Sequence, residues 1–273
     1  MRQVVGFFVV LILKVLGRLP LWIPLALGTT LLPFYIPFRR RTRARLRQLS
    51  TIDLRVAPLP YYRMRLRLAL LSLKHLLGLP DGCTVTIEGQ EHYDAALASG
   101  KPVVILGWHQ GPVELLHRIP QSDPKAVGRL AFLMTAKAFS PALTELMKSG
   151  RAGIGKEILH PQSLAGLRRW EKEKGLLAMM IDQVPGEPEE SMSLFKDKVS
   201  IPYPGKLLEW IAGRNPSIVT VSVRWEKGNC IVFRYSPVDS GNPKEDITQF
   251  MESCLRATPN PYNWSYPKIR VLD

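Results

Sequence analysis

The chain has 273 residues, 46% of them hydrophobic and 22% charged, with a formal net charge of +14. That is too apolar for disorder and long enough for one substantial core, so one large domain, or one domain with an appendage, is expected. Cys83, Cys230 and Cys254 are widely spaced with no C-x-x-C pair, which excludes a disulfide scaffold and a cysteine-built zinc site and fits a reducing compartment.

The charge is concentrated. Residues 39–67 hold ten arginines against Asp53, for +9; residues 1–38 add +3 from Arg2, Lys14 and Arg18, and the other 206 residues only +2. Val4 to Leu16 is apolar apart from Lys14, and a second apolar stretch, Leu19 to Phe38, contains Pro20, Pro24, Pro33 and Pro37. A helix crossing the roughly 30 Å hydrocarbon core needs about 20 apolar residues. The expectation for residues 1–38 is therefore one bent span using both stretches, or a helix in the interface with the second stretch beside it. A cleaved signal peptide fits less well. No convincing A-x-A site follows, and Arg39, Arg40, Arg41, Arg43, Arg45 and Arg47 come directly after the apolar stretch, where positive charge opposes translocation. The same bias puts everything after residue 38 in the cytoplasm.

An arginine cluster of this density reads as a nucleic-acid patch, as a binder of anionic headgroups, or as a solvated helix face. Its juxtamembrane position favours lipid over nucleic acid, and there is no recognisable nucleic-acid module. Arg63, Arg65 and Arg67 open an amphipathic helix expected to end at Gly78, with Pro80 as its stop. Residues 39–80 thus form a basic helical segment between the anchor and a globular part over 81–273.

From residue 83 the pattern becomes strand and helix in alternation: a β-rich run (CTVTIEG), a helix closed by Gly100, then the fully apolar Val103 to Leu106. Buried runs recur at Leu176 to Ile181, Ile218 to Trp225 and Cys230 to Tyr235. Helices are expected at Pro112 to Arg118, Pro141 to Ser149, Ser163 to Lys174, Gly205 to Ala212 and Lys244 to Ala257. This predicts an α/β fold, with a mixed or mostly parallel sheet flanked by helices.

Gly107-Trp108-His109-Gln110-Gly111-Pro112-Val113-Glu114 follows a buried strand and leads to a helix start at Pro112, the place where open α/β folds put their ligands. A spacing of five separates His109 and Glu114 by roughly 140° on a regular helix, so they can meet only if His109 lies off the helix and folds back over it. The pair then has the logic of a general base held by a carboxylate.

The stretch VTIEGQEHYDAALASGKPVVILGWHQGPVELL resembles the lipid A late acyltransferases, lauroyl and myristoyl acyltransferase-like members of the lysophospholipid acyltransferase superfamily. There a phrase of the type GxGxxLxxxHxGxxE carries a His-x4-Glu signature. The apolar N-terminus and arginine-rich helix resemble the family's layout, Gly175 to Gln183 its Gly-strand-Asp-Gln block, Phe195 with Gly205 and the strand ending in Arg224 its third block, and Asn263-Trp264 its C-terminal tryptophan region. The resemblance implies a glycerolipid acyltransferase-like fold in which His109 deprotonates an acceptor hydroxyl and Glu114 orients it. The hydroxyl then attacks the thioester of acyl carrier protein or acyl coenzyme A. Backbone N–H groups at the start of the Pro112 helix are the nearest donors for the oxyanion. Asp182 and Gln183 would line the same edge, as substrate-binding residues or as a polar turn closing the strand. Arg224, with Arg151 or Lys156, and with Arg168 and Arg169 as further candidates, would supply basic contacts to substrate.

Two departures touch the substrate more than the reaction: Pro112-Val113 stands where the family has a large residue, and Phe195-Lys196-Asp197 replaces a Phe-Gly pair. The Gly150 to Lys156 run imitates a phosphate-binding loop, but Glu157 stands where a Ser or Thr is required. No G-x-S-x-G or H-E-x-x-H occurs, and His75, His92, His117 and His160 show no metal-ligand spacing. The resulting expectation is an O-acyltransferase of lipid A and lipopolysaccharide biosynthesis, at the bacterial inner membrane with its catalytic domain on the cytoplasmic face. It would need no metal or cofactor and bind no nucleic acid. Its partners would be the acyl donor, a lipid acceptor (a lipid A precursor or related glycolipid) and anionic membrane lipids. The alternative is a non-catalytic lipid-binding or scaffold protein of the same fold.

Overall fold

The computed structural model describes residues 11–112, 126, 131–134, 157–159, 163–184, 190–226 and 230–272. The expected helices at Pro112 to Arg118 and Pro141 to Ser149, and the Gly150 to Lys156 run, lie essentially outside them. Helices α1 (Leu11–Arg18) and α2 (Trp22–Tyr35) form a pair bent by 117° around Pro20. No single described helix is long and apolar enough to cross a membrane; the bent pair, counted to Phe38, passes by length and composition. Basic α3 (Arg40–Ser50) and α4 (Pro58–Leu76) follow. Gly28 lets α2 lie close on α4, since a Cβ there would collide with Leu66. Buried Lys74 donates to the carbonyl of Gly17 at 2.8 Å, satisfying one of the orphan acceptors at the end of α1.

The globular part runs β1 (Thr84–Glu88), α5 (Gln90–Ala98), β2 (Val103–Gly107), β3 (Ala131–Met134), β4 (Glu157–Leu159), α6 (Leu164–Lys172) and β5 (Leu176–Met180). It continues with β6 (Glu190–Leu194), β7 (Val199–Tyr203), α7 (Gly205–Ala212), β8 (Ser217–Glu226), β9 (Cys230–Pro237), α8 (Pro243–Ala257) and β10 (Arg270–Val271). The main sheet has the order β1-β9-β8-β2-β5-β3-β4. Among the described residues its only antiparallel pairing is β8 with β9, so β8, β2, β5, β3 and β4 share one direction. A small antiparallel sheet, β10-β7-β6, stands apart. The fold is thus mixed α/β with a mostly parallel sheet flanked by helices.

Strand alternation divides the core. In β2, Val103 and Ile105 face Tyr93 and Leu97 of α5, whereas Val104 and Leu106 face a larger cluster. That cluster takes in α6, α7, α8 and, from the N-terminal third, Leu46, Leu49, Leu54, Tyr61 and Tyr62. All five β2 residues are buried, as a strand covered on both faces requires.

Candidate active site

Parallel register builds the site. Gly107 of β2 pairs with Met180 of β5, and the Ile181 N–H donates to the Gly107 carbonyl at 3.0 Å, so two residues further on His109 arrives beside Asp182. One Asp182 oxygen lies 2.7 Å from His109 Nδ1 and the other accepts the His109 backbone N–H at 3.0 Å. The imidazole is 27% exposed and the carboxylate 1%. A carboxylate against Nδ1 keeps the proton on that nitrogen and leaves Nε2 as the basic one.

The corner carrying His109 is braced from the C-terminal loop. Gln110 forms a bridge with Tyr262, Gly111 N–H donates to Pro261 O at 3.3 Å, and Asn263 N–H donates to the His109 carbonyl at 2.9 Å. The buried Gln110 side chain accepts from Trp108 Nε1 at 2.7 Å and donates to Thr258 O at 2.9 Å. Gly111 has φ +73°, and a Cβ there would meet the Val223 carbonyl at 2.5 Å, so glycine is required by both conformation and space.

Asp182 sits among groups that complement its charge. Arg65 of α4 is packed nearby, its Nη1 3.5 Å from Pro261 O; burial lowers its pKa, offset by Tyr61, Asp182 and Tyr262. Fully buried Tyr262 has its phenol pushed well up, first by burial and then by the Asp182 charge, and its hydroxyl has no hydrogen-bond partner among the described residues. Tyr266 is raised by the same two causes.

Of the residues expected from sequence, the structure brings His109 and Asp182 into contact, with Gln183 next in the chain. The Gln183 amide nitrogen is buried with no hydrogen-bond partner among the described residues. Arg224 pairs with Glu88 and, at 3.0 Å, with Glu226. Glu114, Arg151 and Lys156 lie outside the described residues. Three arginines of the basic segment turn inward: Arg45 donates to the carbonyls of Trp264 at 2.6 Å and Tyr266 at 2.7 Å, Arg67 stacks 4.2 Å from the Trp225 ring centre, and Arg65 reaches the site. The sequence reading did not single out Gln110, Tyr262 or Arg65 as supports. Arg65 had a signal, since it shares a helix face with Tyr61 and Leu68, both buried.

Together these features define an α/β protein with a carboxylate-held histidine at the carboxyl ends of central parallel strands. The chain belongs to the bacterial lipid A biosynthesis acyltransferase family, whose sequence model matches residues 81–270, well over half its length. Among curated proteins none matches it. Membership makes it an acyltransferase that works with an acyl donor and a lipid acceptor.

Proposed function

We propose that the protein moves a fatty acyl group from acyl carrier protein or coenzyme A to a hydroxyl of a lipid A precursor or related glycolipid, at the cytoplasmic face of a bacterial inner membrane. The observation that carries this reading is the hydrogen-bonded pair of partly exposed His109 and buried Asp182. A hydroxyl is a poor nucleophile at neutral pH. His109 Nε2 takes its proton as the oxygen attacks the thioester carbonyl, and Asp182 stabilises the imidazolium that forms. The carbonyl oxygen becomes an oxyanion, which backbone or side-chain N–H donors at the site would stabilise. Collapse breaks the carbon–sulfur bond, forms the ester and returns the proton from His109 to the leaving thiolate. Glu114 keeps the place the family motif assigns it, as a second carboxylate of the site. The bent helix pair α1–α2 anchors the chain in the membrane: Trp22 is 69%, Phe34 74% and Phe38 84% exposed, apolar surface suited to lipid.

The test is a paired expression of the wild type and His109→Ala in membranes, with labelled acyl carrier protein and acyl coenzyme A supplied separately and acylated lipids identified by mass spectrometry. A product made by the wild type and lost in the variant names donor and acceptor. No His109-dependent product in a broad lipid extract would instead indicate a lipid-binding scaffold.

A further inference from the structure

Where the apolar helix pair gives way to α3, the chain forms an open cavity of about 410 Å³ lined by Phe38, Arg39, Arg40, Arg41 and Arg45, with Ser265 on the opposite wall. Its charge is uncompensated. Among the described residues no carboxylate pairs with Arg39, Arg40 or Arg41, and Arg45 is held by neutral carbonyls, those of Trp264, Tyr266 and Pro267. The first turn of α3 carries arginines and no acidic residue, at the helix end where the backbone dipole already repels cations. Thr42 lines the same cavity at 5% exposure, and its hydroxyl has no hydrogen-bond partner among the described residues. Convergent guanidiniums, the Thr42 hydroxyl and a positive helix end are together complementary to a tetrahedral oxyanion. Phe38, 84% exposed on the rim, continues the apolar surface of α2 through Leu31 and Phe34. An ion alone would leave that surface uncovered.

We infer that the cavity between α3 and the C-terminal loop binds the phosphate group of a lipid, with the lipid's apolar part lying along Phe38 and α2. The same loop joins this cavity to the catalytic corner. Ser265 N–H donates to Tyr61 Oη at 3.0 Å, and two residues earlier Asn263 N–H holds the His109 carbonyl at 2.9 Å. A phosphate seated against Ser265 therefore bears on the segment that positions the base. The inference rests on the lipid-acceptor reading only in its choice of a lipid as ligand, and binding can be measured without acyl transfer.

The full chain in phosphatidylcholine nanodiscs is titrated with short-chain phosphatidic acid, with the matching diacylglycerol and with inorganic phosphate. Three proteins accompany the wild type: Arg40→Gln/Arg41→Gln, Thr42→Val, and Arg55→Gln/Arg63→Gln, which removes two exposed arginines outside the cavity. Phosphatidic acid is expected to bind roughly tenfold more weakly to the first variant, and severalfold more weakly to Thr42→Val, with the control double variant close to wild type. Equal loss in the control means diffuse surface attraction and overturns the site. Diacylglycerol binding as well as phosphatidic acid removes the phosphate, and inorganic phosphate competing at the same concentration as phosphatidic acid removes the lipid. His109→Ala protein, silent in the transfer assay, is expected to show wild-type binding, so failure of this site and failure of the transferase reading give different results.

Discussion

Both oxygens of Asp182 are committed to one residue, the first to the ring and the second to the backbone of His109. That division predicts what an amide would do there. In Asp182→Asn the backbone N–H of His109 still demands an acceptor, so the amide oxygen takes that place and the NH₂ group is left facing Nδ1. A donor at Nδ1 moves the ring proton to Nε2 and removes the base without disturbing the packing. Transfer activity is expected to fall by roughly 10² to 10⁴-fold with the thermal midpoint nearly unchanged, measured as initial rates with saturating donor. Glu114→Gln is expected to be impaired but not silent. Full activity in that variant would remove Glu114 from the pairing, and full activity in Asp182→Asn would show that the contact is only structural. From its place after a buried strand His109 reads as a candidate base, and Asp182 only as an edge residue. Their contact depends on the alignment of β2 with β5, which brings together residues 73 positions apart and leaves no trace in local spacing.

Elements with a strong pattern were readable from the chain, and those whose order comes from tertiary contacts were not. The uninterrupted apolar run of β2 and the Gly100 stop after α5, with φ +69°, express local rules, and α7 runs over Gly205–Ala212 as its pattern implied. β6 is polar at three of its five positions and β7 contains Pro202, so neither was read as a strand; they form because the inward-facing Met192, Leu194, Val199 and Ile201 are all fully buried. The turn between them contains the Phe195-Lys196-Asp197 departure from a Phe-Gly pair. All three residues have positive φ, 56°, 56° and 63°, in a region that penalises side chains with a Cβ. Phe195 is held by Glu252, which accepts its N–H, and by Arg256, 4.8 Å above its ring, whereas Lys196 is exposed. Lys196→Gly should therefore relieve strain at no cost in packing. After allowance for the greater freedom of glycine in the unfolded chain, a gain of about 0.5 to 1 kcal/mol is expected, read as a higher denaturant midpoint at constant slope. Unchanged or lower stability would show that the lysine side chain supports the turn.

Across the whole molecule, the basic segment and the sheet share one interior. Leu46, Leu49, Leu54 and Tyr61 are each at most 1% exposed, and they belong to the cluster that holds Leu106, Trp108 and Met179 of the sheet layer. Three bonds from Arg45, to the carbonyls of Trp264, Tyr266 and Pro267, and one from Ser265 N–H to Tyr61 tie residues 39–80 to the loop that braces His109. The N-terminal pair is attached differently. Of its residues only Gly17, Pro24 and Leu32 are buried, and much of its apolar surface is open. Truncation at these two places should therefore have unequal consequences. A chain of residues 39–273 is expected to unfold cooperatively with a midpoint lower by roughly 5–10 °C, reflecting loss of the α2 contacts, and to be released from vesicles by salt more readily than the full chain. A chain of residues 81–273 loses Leu46, Leu49, Leu54, Tyr61 and Tyr62 from the core, together with the guanidiniums of Arg45 and Arg65. Backbone carbonyls of Pro261, Trp264, Tyr266 and Pro267 are then left without their guanidinium partners, and each such loss carries a penalty of about 1–3 kcal/mol, with the lost core side chains adding more. That exceeds the margin by which a domain of this size is stable, so no cooperative thermal transition is expected by calorimetry. A sharp transition in the shorter chain would show that residues 39–80 are an accessory to a core complete without them, and the Arg65 contribution to the corner that carries His109 would then be dispensable.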